Sequence, residues 1–544
     1  MKSIAYLGLL AGIITTFNIE SSLAKEFDDK IKTIHWNSDY LKSSILLNKI
    51  KDTEEFISFP RIIPPKDSEA AILISDVDSV NISLVNSPNI KSAVFQYQEQ
   101  IYTLRKAYSA YYPSLSLYST SYGWSETYES FQYGKPFELG TETSSLTGLT
   151  SVIKTPASYI DSENLSFTNY KSLNVGLELT YSLFDPQRDL EIAEEMEMKN
   201  YYYNMIIEEL KNEYQTASNN LLDVKINDAY VKLYGRAADY AKSAYNKIVE
   251  SYQGGFSTKI DVDNYLAQYL AYKAQKASFL GKREEAISSL LESMGWPQNV
   301  EIVLKDPLVV SEKWPIEKDE SLKLAQKNSE KIKNLAIQSQ KSYIQAQNAL
   351  YGYVPVINLS LLGTANKIDG EVVLGWPYSS GEYYTSASVS VGITWSIFDG
   401  FSNLNDSRSF KKAGQSYDQQ KENEILTIES DVASNIASQK AELVAYKLNK
   451  EALNTRIDLT ELTNQGYMSG YNTVFDLIKA QQDTVESEES AISNAQTINK
   501  SYIDLEQLTG AVDCNSKQAI SYCAILEAIA PDSFQQLDHQ NQAQ

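Results

Sequence analysis

Two matching stretches, Tyr252-Gln-Gly-Gly-Phe-Ser-Thr-Lys-Ile-Asp261 and Tyr467-Met-Ser-Gly-Tyr-Asn-Thr-Val-Phe-Asp476, determine how the rest of the chain is interpreted. Each lies inside a long proline-free segment of otherwise helical sequence. Each supplies glycine, which ends helices, followed by Thr-x-x-Asp, a pattern that starts them. We therefore predict a helix–turn–helix at each stretch, and we call residues 252–261 tip 1 and residues 467–476 tip 2.

The sequence around the two tips repeats in step. In each half the sequence predicts a helix that ends at a proline, followed by two strands, a long helix, a tip and a return helix. Phe184 precedes Gly255 by 71 residues and Phe398 precedes Gly470 by 72, and in both halves another glycine follows 40 residues after the tip glycine. Helices that keep their spacing while an exposed loop varies in length indicate a duplicated unit.

The repeat divides the chain into six segments. They are a signal peptide (1–24), an N-terminal leader (25–80), a first repeat (81–297), a linker or equatorial segment (298–320), a second repeat (321–512) and a C-terminal tail (513–544). The leader contains three prolines and mixed charge, so we expect loop or loosely attached chain there, with order beginning at Asp76.

Two kinds of periodicity predict the elements of each repeat. Residues 114–124 and 173–184, and later 356–362 and 387–398, alternate as half-buried strands do. The polar segment 125–170 between the first two strands is expected to be an exposed loop. The helix that follows has roughly 65 residues and a length of about 100 Å, which indicates a coiled coil or helical barrel.

Aromatic residues near the strand ends suggest a membrane interface. We interpret them as an interfacial girdle, with ordinary strand packing as the alternative. They are Tyr118, Tyr122, Trp124, Tyr181 and Trp395.

Composition excludes several classes of protein. The net charge of −22 leaves no basic surplus to neutralise phosphates, so we expect no nucleic-acid partner. Two histidines near opposite ends of the chain provide no metal cluster and no nucleophile–histidine pair. We therefore expect no catalytic, cofactor or metal site, and no enzyme. Cys514 and Cys523 could form a disulfide in an oxidising compartment, and two buried free thiols are the alternative.

The N-terminus has the pattern of a secretory signal. Lys2 precedes an apolar run over 4–17, and Ser22-Leu-Ala24 resembles a small-x-small cleavage site. The run is shorter than the roughly 20 residues that a spanning helix needs, and a buried N-terminal helix is the alternative. No other long apolar stretch follows, so we expect export without a transmembrane helix.

The four predicted strands are long enough to cross a bilayer at the usual tilt. Open sheet edges are not tolerated in lipid, so four strands must share a barrel with other copies. Three copies would give twelve strands. We expect an α+β membrane protein with two tandem repeats, and a soluble sandwich is the alternative.

The ordered double set of elements resembles the TolC-type outer-membrane factor family, also called outer membrane efflux proteins, over residues 76–512. The motifs that carry the resemblance are Pro113 and Pro355, Leu183-Phe-Asp-Pro186 and Ile397-Phe-Asp-Gly400, and the two tips. It implies a homotrimer with a 12-stranded barrel in outer-membrane lipid and a long periplasmic helical barrel. It further implies a passive exit duct, gated at the tips, for efflux or type I secretion. The implied partners are a periplasmic adaptor (membrane fusion) protein and an inner-membrane pump or ABC transporter, and no cofactor is implied.

The resemblance assigns docking of the adaptor to the turns themselves. The matching positions are Gly254, Gly255, Thr258, Gly470 and Thr473.

The resemblance also assigns a periplasmic gate. Asp261 and Tyr467 match a pair that bonds neighbouring helices when the entrance is closed, and Asp476 matches an acidic ring at the constriction. Asn472 stands where a relative carries arginine, which implies a weaker lock, and Lys479 stands where a second acidic residue follows and could neutralise the ring. The alternatives are helix capping for the two aspartates and simple packing for Tyr467.

The rival from another class is a structural coiled-coil cell-surface protein or adhesin. It predicts longer uninterrupted heptads and no duplicated strand pairs, so the sequence favours the duct.

Overall fold

The computed structural model of the chain describes residues 32–33, 61–64, 71–131, 139–143, 150–154, 164–373 and 379–511. The signal peptide, Cys514 and Cys523 lie outside these residues. The chain forms two compact units. We call the first the helical unit (residues up to 102, 196–343 and from 411 onward) and the second the strand unit (103–195 and 344–410).

Eight α-helices run through the described residues. They are α1 (Asp76–Asn86), α2 (Pro88–Tyr108), α3 (Arg188–Gln253), α4 (Lys259–Ser293), α5 (Lys318–Asn328), α6 (Glu330–Tyr351), α7 (Ser402–Met468) and α8 (Val474–Thr509). Helix α3 has 66 residues and α7 has 67, which agrees with the predicted length. Among the helices that the structure describes, none combines the length and apolar character needed to cross a bilayer.

The strands form three sheets. Their bounds are β1 (Lys32–Thr33), β2 (Ile72–Ile74), β3 (Ser114–Phe131), β4 (Leu139–Thr143), β5 (Thr150–Lys154), β6 (Asn164–Phe184), β7 (Ile302–Leu304), β8 (Val356–Val373) and β9 (Ser379–Thr394). The large sheet has the antiparallel order β3-β6-β8-β9. Strands β4 and β5 form a hairpin, and β1, β2 and β7 form a small parallel sheet.

The strands of the large sheet extend well past the predicted ends. The expectation of a loop over 125–170 was wrong, since β3 continues to Phe131, β6 begins at Asn164 and the β4–β5 hairpin lies between them. Likewise β8 continues to Val373, whereas β9 ends at Thr394, before the predicted end at 398. Polar side chains do not end a ladder, because the backbone supplies its hydrogen bonds and Ser, Thr and Tyr tolerate strands.

In the part of the leader that the structure describes, residues 61–64 and 71–80, the expectation of loosely attached chain was wrong. The Asn86 side chain brackets Ile62, accepting from its N–H at 2.8 Å and donating to its carbonyl at 2.8 Å. Trp296 Nε1 donates to the same carbonyl at 2.9 Å. Ile72 and Ile74 are buried, and β2 pairs with β7 from the linker. These residues join the largest apolar core, which gathers α1 to α4 around them.

The single helix predicted at the start of the second repeat, from residue 321 to 351, is two helices, α5 and α6, that separate at Ser329. The first repeat has the same break at Ser87, and in both the serine Oγ accepts the backbone N–H three residues later. The asparagine before each serine donates its amide to a carbonyl at the C-terminal end of a return helix. Asn86 Nδ2 bonds Met294 O at 2.8 Å, and Asn328 Nδ2 bonds Thr509 O at 2.8 Å. The duplication therefore includes these Asn-Ser breaks.

Candidate functional site

The two tips end their incoming helices in the same way. Gly255 and Gly470 both have φ of 78°, a left-handed conformation that favours glycine. The next residue donates its N–H five residues back, from Phe256 to Ser251 O and from Tyr471 to Gly466 O, each at 2.8 Å. The glycine N–H bonds the carbonyl three residues back, so each end is a Schellman motif.

The outgoing helices begin with reciprocal caps. Asp261 Oδ2 accepts from the Thr258 N–H at 2.9 Å, and the Asp261 N–H donates to Thr258 Oγ1 at 3.2 Å. Asp476 and Thr473 repeat the arrangement at 2.8 and 3.2 Å. The capping role that the sequence left as an alternative is thus present for both aspartates. The Thr473 hydroxyl, and then its backbone N–H, hold the pKa of the exposed Asp476 carboxyl below its ordinary 3.8.

Each tip also exposes a pair of apolar side chains. Phe256 and Tyr471 follow the tip glycines and are both 89% exposed. Ile260 and Phe475 lie in the first turns of the outgoing helices and are both 72% exposed. Sequence reasoning missed these four residues, although apolar residues at equivalent positions of two polar turns are a readable signal.

The predicted lock pair has other contacts. Tyr467 is half-buried against the cluster of Ile248, Val262, Tyr265, Val474, Leu477 and Ile478. Within the part of the chain that the structure describes, no hydrogen bond joins Tyr467 to Asp261, whose bonds go to Thr258. A cavity of about 100 Å³ lies beside Tyr467, lined also by Tyr240 and Tyr265. The cavity leaves open space on one side of the Tyr467 side chain. The lock between Tyr467 and Asp261 stays a prediction.

Asn472 closes tip 2 onto its own helix. Its amide donates to Thr463 O at 3.2 Å, and its backbone N–H donates to Gly466 O at 3.2 Å. A Cβ on Gly466 would come within 2.3 Å of Asn472 Nδ2, so this side chain occupies the space that glycine leaves. The hydrogen bonds of Asn472 therefore stay within its own chain, where they stabilise the turn of tip 2.

Lys479 does not lie against the Asp476 carboxylate. Its ammonium bonds Asp483 Oδ1 at 2.8 Å, one turn further along α8, and Arg456 of α7 bonds the other oxygen at 3.2 Å. The bond to Asp483 raises the pKa of Lys479. Asp483 therefore competes with Asp476 for the charge of Lys479, since i and i+4 are the ordinary spacing of an ion pair on a helix.

The large sheet has one apolar face. Directly paired residues of antiparallel strands share a face, and one row across the four strands is Leu115, Leu179, Leu361 and Val389. Val389 is 71% exposed. The neighbouring rows on this face are Leu117, Leu177, Gly363 and Ala387; Tyr181, Leu359 and Val391; and Ile357 and Ile393.

The opposite face of the sheet is rich in hydroxyl groups. Its rows are Ser116, Glu178, Leu362 and Ser388; and Ser114, Thr180, Ser360 and Ser390. Ser114 Oγ lies 2.5 Å from Thr180 Oγ1, and Thr364 Oγ1 lies 2.7 Å from Ser386 Oγ. The contrast between the two faces is the dyad pattern of a membrane barrel.

The structure speaks against one member of the predicted aromatic girdle, and the girdle itself stays a prediction. Tyr181 lies on the apolar face. Tyr118 pairs with Gly176 on the hydroxyl-rich face. If the apolar face meets lipid, Tyr118 therefore does not. Trp395 is exposed and donates its Nε1–H to Tyr353 O at 2.8 Å. The side chains of Tyr122 and Trp124 lie outside the described residues.

Comparison with known proteins agrees with this geometry. Residues 321–511 match the family model described as outer membrane efflux protein. No curated protein matches the chain. The match confirms the resemblance to the TolC-type family and the location in the outer membrane that the sequence predicts.

Solved structures share the fold over most of the chain. The outer-membrane channel OprN is 13% identical, with a TM-score of 0.62 over 81% of this chain and 90% of its own. The outer membrane protein VceC from Vibrio cholerae is 12% identical, with a TM-score of 0.59 over 79% and 95%. The open-state channel MtrE from Neisseria gonorrhoeae is 17% identical, with a TM-score of 0.59 over 80% and 88%.

Proposed function

We propose that this TolC-type outer-membrane protein is one subunit of a homotrimeric exit duct, closed and opened at its periplasmic helical tips. The observation that carries the proposal is the large sheet, which is apolar on one face and hydroxyl-rich on the other. Within the described residues, β3 and β9 each have one partner strand, so both edges of the sheet are open. Open edges are not tolerated in lipid, and three copies would close a barrel of twelve strands.

The assembly itself is the first test. Protein extracted in mild detergent should have the mass of three chains in native mass spectrometry, and unheated gel samples should run as one compact species that boiling unfolds. Each chain buries its strand edges only against another copy, which is why we expect no stable monomer in the membrane. A folded monomer in mild detergent would contradict the proposal.

The tips are the proposed docking surface for a periplasmic adaptor that links the duct to an inner-membrane pump or ABC transporter. The four exposed apolar side chains, Phe256, Ile260, Tyr471 and Phe475, support this role, because such patches mark interaction sites. The arrangement serves efflux of small molecules or one-step protein secretion, since a passive duct takes its cargo from the pump.

The Asp476 carboxylates form the proposed acidic ring of the gate, and Asp476→Asn should reduce the preference for cations. Three exposed carboxylates on one axis attract cations and repel anions. Reversal potentials across a salt gradient in planar bilayers measure the effect, with Glu284→Gln as the matched control because Glu284 is exposed on α4 outside the tips. An unchanged reversal potential for Asp476→Asn would contradict the ring.

The pH dependence of this preference follows from the lowered pKa. A carboxyl whose folded pKa is depressed keeps its charge above that pKa and loses it as the pH falls through it. The cation preference should therefore persist at pH 3.8, where an ordinary aspartate is half protonated, and be lost only as the pH falls through the lower pKa of the folded protein.

The lock between Asp261 and Tyr467 remains part of the proposal, as a contact made in the closed trimer. Tyr467→Phe removes the hydroxyl and keeps the packing against Val474 and Leu477, so it should raise the single-channel conductance. Conductance equal to that of the natural protein would remove Tyr467 from the gate.

A further inference from the structure

One tyrosine lies flat against the hydroxyl-rich face of the large sheet. Tyr118 of β3 and Gly176 of β6 are direct partners in the ladder. A Cβ built on Gly176 would lie 2.4 Å from Tyr118 Cζ and 2.7 Å from its Oη. Gly176 is buried although its face is otherwise open, because the ring covers it.

The other glycines of the sheet do not have this cover. Among the described residues, none would come within 4 Å of a Cβ added to Gly363 or Gly392. Gly392 pairs with Asn358 and so shares the hydroxyl-rich face with Gly176. Among the sheet glycines whose surroundings the structure describes, only Gly176 provides a place for a neighbouring ring. An aromatic ring over a strand glycine also offsets the weakness that glycine brings to a strand.

We propose that Gly176 sets the aperture of the barrel by holding the Tyr118 ring against its wall. This inference rests on the proposed function, in which the apolar face meets lipid and the hydroxyl-rich face lines the lumen. In a trimer, three Tyr118 rings lie at one level of the lumen. Lying flat, they leave the lumen open; turned away from the wall, they narrow it.

The geometry specifies how the ring would be released. A methyl group on Gly176 cannot coexist with the ring, because contacts of 2.4 Å are far shorter than van der Waals distance. The clashing atoms are the far end of the tyrosine side chain, which moves by rotation about its own bonds, whereas the strand is held by its ladder. Since the wall occupies the other side, the ring must turn into the lumen.

The experiment measures polymer exclusion from the barrel side of single channels in planar bilayers. Neutral polyethylene glycols of graded mass are added to that side, and the largest polymer that still lowers the conductance defines a cutoff. Gly176→Ala should shift the cutoff to smaller polymers. Gly176→Ala with Tyr118→Ala should restore it, because no ring remains to be displaced. Gly392→Ala adds the same methyl group to the same face without a clash, so its cutoff should not change.

The outcomes separate this inference from the proposed function. If the natural protein forms channels but Gly176→Ala and Gly392→Ala have equal cutoffs, the aperture role is overturned and the duct stands. If the natural protein forms no channel, the proposed function itself fails. If Gly176→Ala does not assemble, the double variant decides: assembly regained by removing the ring supports the contact, and a double variant equally unable to assemble contradicts it.

Discussion

Lys211→Met should lower the free energy of unfolding of the helical unit by about 3 kcal/mol, because it removes the buried partner of the buried Glu330 carboxylate. Glu330 then keeps only the partly exposed Lys333, whose ammonium lies 3.4 Å from Oε1. Lys211 Nζ donates to Glu330 Oε2 at 2.5 Å and to Asn328 O at 2.6 Å, and both side chains of the pair are almost completely buried. Burial lowers the pKa of Lys211, and Glu330 opposes that shift. The ammonium thus joins the end of α5 to the start of α6 across the break at Ser329.

Unfolding in guanidinium chloride, followed by far-ultraviolet circular dichroism, measures this effect. Lys331→Met is the matched control, since Lys331 is exposed and bonds Glu424 at 3.2 Å, and such surface pairs contribute about 1 kcal/mol or less. Lys211→Met with Glu330→Leu should recover most of the loss, because no unpaired charge stays buried. Equal midpoints for Lys211→Met and Lys331→Met would show that the buried pair does not hold the break.

Val389→Arg should prevent assembly in the membrane. Val389 is exposed on the apolar face, which in the proposed barrel meets lipid, and an arginine that faces lipid costs up to about 2–4 kcal/mol in each chain. The proposed trimer would bear that cost three times. The amount of protein in the outer-membrane fraction and its mass in mild detergent report the effect.

Ser388→Arg is the control for this variant. Ser388 is the adjacent residue of β9, and its side chain lies on the opposite, hydroxyl-rich face. An arginine there would meet water in the lumen, so the variant should assemble normally. If both variants were lost from the membrane equally, or if both assembled, the assignment of the apolar face to lipid would be wrong.

The tips and long helices could be predicted because their signals are local. Glycine followed by Thr-x-x-Asp specifies both ends of the turn, and the structure has the Schellman motif and the cap where those residues stand. The return helices begin at Lys259 and Val474 for the same reason.

The strand ends could not be predicted from polarity, because the ladder depends on the backbone and polar strands pair as well as apolar ones. The face of the sheet on which each strand residue lies, in contrast, could be predicted from the sequence. Tyr118 is an even-numbered residue like Ser114 and Ser116, while Leu115 and Leu117 are odd, so alternation alone places Tyr118 on the polar face.

Contacts between distant segments lay beyond sequence reasoning. Lys211 and Glu330 are 119 residues apart, and no periodicity joins them. Asn86 and Ile62 meet only because the leader returns to the end of α1. The bond between Lys479 and Asp483 is local by comparison. Asp483 stands one helical turn away, and the i,i+4 spacing predicts that bond.

The single-channel conductance of the purified protein in a planar lipid bilayer tests the central claim most directly. A duct closed at its tips predicts discrete current steps of one uniform size, which appear with protein of trimer mass. Folded trimer that inserts into the bilayer and yet passes no current would contradict the claim that this chain forms an outer-membrane exit duct.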